Sequence, residues 1–107
     1  MLDYRLLYLT VADAAAGRQL ARRLVQERLA ACAHLLPAGQ SFYWWEGDLV
    51  EQSEQVVLAK TTAERAADVI LRVAAWHDYD CPCVLSLAID DGHGPFLAWV
   101  SEQTRAA

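Results

Sequence analysis

Three cysteines and three histidines carry most of the chemistry open to this sequence. Cys81-Pro82-Cys83 is the tightest group. In an extended segment its two thiols share a face, and Pro82 keeps Cys81 out of helix. The spacing is shorter than the two to four residues that usually separate zinc cysteines. It is also not the C-x-x-C that opens a helix in dithiol redox sites. A two-thiolate site for Cu(I) or another soft ion fits it, with ordinary free thiols as the plain alternative. Cys32 and His34 lie two apart in a short apolar stretch. If that stretch is a strand, thiol and imidazole point the same way and suit copper or zinc. The plain alternative is a cysteine buried as a small hydrophobe. His77 precedes Asp78-Tyr79-Asp80. It reads either as a ligand or proton carrier beside two carboxylates, or as a helix-end residue facing the dipole. His93, between glycines, reads as solvated.

Other residues are less specific. Arg28 reads as a snorkelling side chain in the last turn of a helix. Lys60 reads as a strand-end lysine reaching water, and Tyr43-Trp44-Trp45 as core or interface. No serine-nucleophile, Walker-type or GxGxxG motif occurs, and no residue is marked as a nucleophile.

The elements that must hold these groups follow from periodicity. Tyr4 to Val11 is a short strand, apolar on both faces. Asp13 caps a helix expected to run to about Ala30, with Leu20, Ala21, Leu24, Val25 and Leu29 in one half of its wheel. Cys32 to Leu36 is a strand that Pro37 and Gly39 interrupt and Ser41 to Trp45 resumes. Glu46-Gly47-Asp48 is a hairpin turn, and Leu49 to Thr61 returns. Ala63 to Trp76 is a helix capped by Thr61 or Thr62, with Asp68 and Arg72 spaced to pair. Val84 to Ile89 is a strand, and a last helix starts near Pro95. The order β-α-β-β-α-β-α predicts an α+β, ferredoxin-like sandwich: an antiparallel sheet, two helices on one face, and an extra C-terminal helix. One domain spanning 1–107 is expected.

Composition narrows the functional classes. With 55% hydrophobic and 21% charged residues the chain is folded rather than disordered. A net charge of −5 argues against nucleic acid as a partner. No apolar run reaches the ~18 residues of a membrane span. Met1-Leu2-Asp3 lacks the features of a signal peptide, and three cysteines cannot close a disulfide framework, so a cytoplasmic location is expected.

Two helices cover one sheet face, yet the strands are apolar on both. Tyr4, Leu6 and Tyr8 oppose Leu7 and Leu9, and Tyr43 and Trp45 oppose Phe42 and Trp44. The second face needs another subunit, a ligand or the last helix, and a homo-oligomer is the favoured expectation.

Five segments resemble the CutA family of divalent-cation tolerance proteins. Arg28-Leu29-Ala30-Ala31-Cys32 resembles its RLAACVN segment, and Ser41 to Gly47 its SxYxWEG. Lys60-Thr61 resembles its KT, with Arg65 following. His77 to Pro82 resembles HPYExP, and Phe96-Leu97-Ala98-Trp99 resembles YLxW. The matches stand in order from about Tyr4 to Ser101.

The resemblance implies a homotrimer of ferredoxin-like subunits, similar to PII signalling proteins, with a role in tolerance of copper and other divalent ions. It names no settled reaction. Three positions depart from the family pattern: His34 replaces Asn, Asp78 replaces Pro, and Cys83 replaces Glu. The last exchanges a hard carboxylate for a soft thiolate. The leading expectation is a non-catalytic metal-response protein, with His77, Cys81 and Cys83 as ligands and Cys32 and His34 as a second possibility. The other is a PII-like module that takes a small ligand, a nucleotide by analogy, or a partner protein in clefts between subunits. By resemblance those clefts are lined by Tyr43, Trp45, Lys60, His77 and Tyr79. An organic cofactor is not expected.

Overall fold

The computed structural model describes residues 3–105. Met1 and Leu2, on which the reading of the chain start partly rests, lie outside that range.

The central strand β1 (Tyr4–Val11) places Leu7, Leu9 and Val11 on one face by its period of two. It is flanked on both sides by antiparallel partners, β4 (Asp48–Thr62) and β5 (Val84–Ile89). The path β2-β4-β1-β5 is the ferredoxin-like order, with β2 (Cys32–Leu35) at the edge opposite β5. The long β4 outruns β1. Its first half pairs instead with β3 (Gly39–Trp45), in register from Gly39↔Glu54 to Trp45↔Asp48. Glu46 and Gly47 close this hairpin with φ of 50° and 86°, the left-handed pair that a two-residue turn of matching twist requires. Pro37 separates β2 from β3, so both run along one edge of β4.

The core lies between this sheet and two helices. Leu7, Leu9, Val57 and Ala59 pack against Leu24 of α1 (Ala14–Gln26) and against Ala66, Val69 and Val73 of α2 (Ala63–Trp76). Asp13 accepts from the Ala16 amide at 2.8 Å and starts α1 as expected. Gly17 is buried at the crossing with the sheet. A Cβ there would lie 2.5 Å from Leu35 Cδ1 and 3.2 Å from Val11 Cγ2. The glycine that weakens the helix is thus what lets the helix approach the sheet.

Two local expectations are corrected, and a third is narrowed. First, α1 stops at Gln26 rather than Ala30. Arg28 adopts φ 60°, the Arg28 amide bonds the Val25 carbonyl, and the Leu29 amide reaches back to the Leu24 carbonyl. This is a Schellman ending, with arginine where glycine is usual. Arg28 is therefore outside the helix, and its guanidinium reaches the Gln103 side chain at 2.9 Å. Second, Asp68 does not pair with Arg72. It lies 3.7 Å from Arg65, while Arg72 bonds Glu27 of α1 at 3.2 Å. Arg23 bonds the same carboxylate and stacks over Trp76 at 3.5 Å, so this network fastens α1 to α2. Third, of the two threonines expected as cap, Thr62 caps α2. Thr61 is buried and donates to the Leu29 carbonyl at 2.7 Å.

The last helix, α3 (Gly94–Gln103), settles at the Tyr4 end of the sheet, where Tyr4 and Ser101 hydroxyls meet at 2.6 Å. It does not cover the second face. Tyr8, Leu85 and Leu87 stay exposed there, and Phe42, Trp44 and Leu49 stay exposed on the projecting hairpin.

Candidate functional site

Antiparallel pairing puts Val56, Leu58 and Lys60 of β4 on the face away from the helices, together with Leu6, Tyr8 and Thr10 of β1. Alternation carries that phase on through Glu54 and Gln52. Glu54 stands where β4 leaves β1 and joins β3, opposite Gly39, which brings no side chain. The segment after α2 crosses the sheet at this point. Between it and the hairpin lies a cleft lined by Tyr8, Tyr43, Trp45, Glu54, Tyr79 and Cys83, among others.

A chain of hydrogen bonds holds the cleft together. The Tyr79 amide donates to His77 Nδ1 at 3.0 Å. That nitrogen therefore carries no proton, and Nε2–H donates to the Thr10 carbonyl at 2.8 Å. His77 thus ties the segment to β1 and fixes the start of its turn. The Tyr79 ring packs on the imidazole at 4.5 Å, and its hydroxyl donates to the Glu54 carboxylate at 3.1 Å. Ser41 donates to the other carboxylate oxygen, and Gln52 donates to the Tyr43 hydroxyl at 2.8 Å.

Electrostatics follow from this packing. Burial first, then the bond to Glu54 and its negative charge, push the Tyr79 phenol up to about 12. Burial also pushes the Cys83 thiol up. The charge of Glu54 and, less strongly, Cys81 act the same way, against a hydrogen bond from Thr10. Without a metal, Cys83 is a protonated, half-buried thiol. Cys81 is exposed at the mouth of the same cleft.

Of the residues singled out from sequence, Tyr43, Trp45, Tyr79, Cys81 and Cys83 meet here. His77 stands behind them, with both ring nitrogens already engaged. Lys60 is outside. It lies six residues along β4 from Glu54, roughly 20 Å at strand rise. Cys32 and His34 share the open face beside Lys60 and Leu58, but on the edge strand opposite β5. Three strand spacings, roughly 14 Å, separate that strand from β5. The two thiol groups therefore do not converge. Among the described residues, no three His, Cys, Asp or Glu side chains meet in an arrangement able to hold a metal ion. Sequence reasoning missed Glu54, Gln52, Ser41 and Thr10. A signal for Glu54 was present: it is a charge in the phase occupied by Val56 and Leu58.

Residues 5–103 match the family model of the CutA1 divalent ion tolerance protein. The chain belongs to this family. A CutA1 structure from Oryza sativa superposes with a TM-score of 0.94 at 34% identity, covering 99% of this chain and 97% of that one. The CutA1 structure from Thermus thermophilus gives 0.91 at 36%, covering 95% and 99%. By sequence, the divalent-cation tolerance protein CutA of Thermus thermophilus is 38% identical, covering 90% of this chain and 93% of its own length. The chloroplastic CutA 1 of Oryza sativa is 37% identical over 92% of this chain. The chain spans about half the length of the two plant chloroplast relatives, 55% and 54%. These CutA proteins are named for tolerance of divalent cations or for the family, not for a reaction.

Proposed function

We propose that this chain serves metal tolerance as a non-catalytic, homotrimeric, cytoplasmic protein that holds a soft metal ion, copper foremost, between Cys81 and Cys83. The observation that carries this reading is that both thiols open on one cleft, although Pro82 alone separates them in sequence. Two thiols suit a two-coordinate soft ion such as Cu(I). They do not complete a tetrahedral zinc site, which takes four ligands. His77 acts as a positioning residue, because its nitrogens hold Tyr79 and β1. Uptake of the ion requires both thiols to lose their protons, and metal addition therefore releases acid.

Support for self-association comes from the uncovered face and the projecting hairpin, where Trp44 is 73% and Leu85 53% exposed. The resemblance supplies the number three.

Native mass spectrometry of the reduced protein, titrated with Cu(I) and with Zn(II), tests both parts. The expected species is a trimer that takes up one Cu(I) per subunit and loses it in the C81S/C83S double variant. Stoichiometric Cu(I) uptake by that variant would sink the ligand assignment. A monomer at micromolar concentration would sink the assembly.

A further inference from the structure

Glu54 is a buried charge without a charged partner. It is 9% exposed, and among the described residues no Lys, Arg or His lies within ion-pair distance of it. Its two oxygens accept from Ser41 and Tyr79, both neutral hydroxyls. A carboxylate offers about four acceptor positions, so half remain open. Burying an ionised carboxylate against hydroxyls alone is costly, and a cation is what such a site lacks.

The walls of the cleft specify the kind of cation. Tyr8, Tyr43, Trp45 and Tyr79 present aromatic rings, and among the described residues no Lys or Arg lines it. Asp78 and Asp80 add negative charge at the rim. Aromatic faces attract weakly hydrated organic cations through their quadrupoles, and a carboxylate beneath them accepts N–H bonds. The same lining repels phosphates, so it does not fit the nucleotide expected by analogy with PII proteins. Hard divalent ions prefer several oxygen ligands. Among the described residues lining the cleft, Glu54 is the one buried carboxylate.

We propose that this cleft binds an organic ammonium ion, its charge on Glu54 and its alkyl body against Tyr43, Trp45 and Tyr79. The site shares its cleft with the two thiols but does not use them as ligands. Binding to the full chain in its native assembly is measured by isothermal titration and Trp fluorescence, with n-butylammonium, n-butanol and Mg²⁺ as probes. Butylammonium is expected to bind at least 10-fold more tightly than butanol of the same shape. Glu54→Gln is expected to abolish that preference. Trp45→Leu, which leaves Glu54 untouched, is expected to weaken butylammonium at least 3-fold and covers the case in which the first variant does not fold. C81S/C83S is expected to keep butylammonium binding while losing Cu(I), which separates this site from the metal reading. Equal binding of butanol, tighter binding of Mg²⁺, or no butylammonium binding to the assembled wild type would each overturn the proposal.

Discussion

The Tyr79 hydroxyl donates to the Glu54 carboxylate at 3.1 Å, across 25 residues of sequence. This bond joins the segment after α2 to the middle of β4. It forms because His77, bonded at both ring nitrogens, fixes the backbone from which Tyr79 projects. The cleft wall therefore depends on a histidine that does not line the cleft.

That bond makes the phenol titrate late. Tyr79 rises from its ordinary 10.0 to about 12 in the folded chain. A group raised on folding contributes its full stabilisation below the unfolded value and loses it as pH climbs through the folded one. Stability should fall between pH 10 and 12, and this part of the fall should be missing in Tyr79→Phe. Denaturant midpoints across that window, with tyrosinate absorbance alongside, check it. Identical profiles for the two proteins would refute the assignment.

The cysteines of the cleft should differ in reactivity. Cys81 is exposed, whereas Cys83 is half-buried with its thiol held up by burial and by Glu54. The thiolate is the reacting form. Iodoacetamide at neutral pH should label Cys81 before Cys83, because burial and the Glu54 charge hold the Cys83 thiol protonated. Glu54→Gln should narrow the gap. Peptide mapping over time reads the order, and equal rates would show that the cleft does not discriminate between the two thiols.

Gly17 tests close packing against helix propensity. Propensity alone makes Gly→Ala favourable by about 1 kcal/mol. The added Cβ would meet Leu35 Cδ1 at 2.5 Å and Val11 Cγ2 at 3.2 Å, and overpacking costs about 1–3 kcal/mol. Because Leu35 packs against the core and Val11 is buried in it, overpacking should win. Gly17→Ala should lower stability by about 1 kcal/mol in urea unfolding. A gain in stability would mean that Leu35 repacks without strain.

Thr61→Val removes a buried donor to the Leu29 carbonyl at 2.7 Å, at the point where the chain leaves α1. Leaving such a carbonyl unsatisfied costs about 1–3 kcal/mol, whereas Thr61→Ser keeps the bond and should cost less. Unfolding of the pair compares the two, and the order should reverse if the methyl group matters more than the hydroxyl.

Much of the fold was legible in the residues themselves. A short apolar run marked β1, the Asp13 cap started α1, and the order of elements gave the ferredoxin-like arrangement. These features are encoded within a few residues of one another, where periodicity and capping act directly. Five motifs in order carried the family as well. The tertiary structure alone decided the rest. Leu29 has the helical phase of α1, yet a left-handed Arg28 takes it out of the helix and into the core. Arg72 has a partner four residues away, yet bonds Glu27 because α1 packs alongside. Cys32 and His34 read as a second possible metal pair beside Cys81 and Cys83. Sheet order puts them on opposite edges, a distance no local spacing records. Glu54 shares the strand phase of Val56 and Leu58 in sequence, but no local pattern records its burial. Its burial arises only where β1, β3 and the segment after α2 close around it, from positions far apart in sequence.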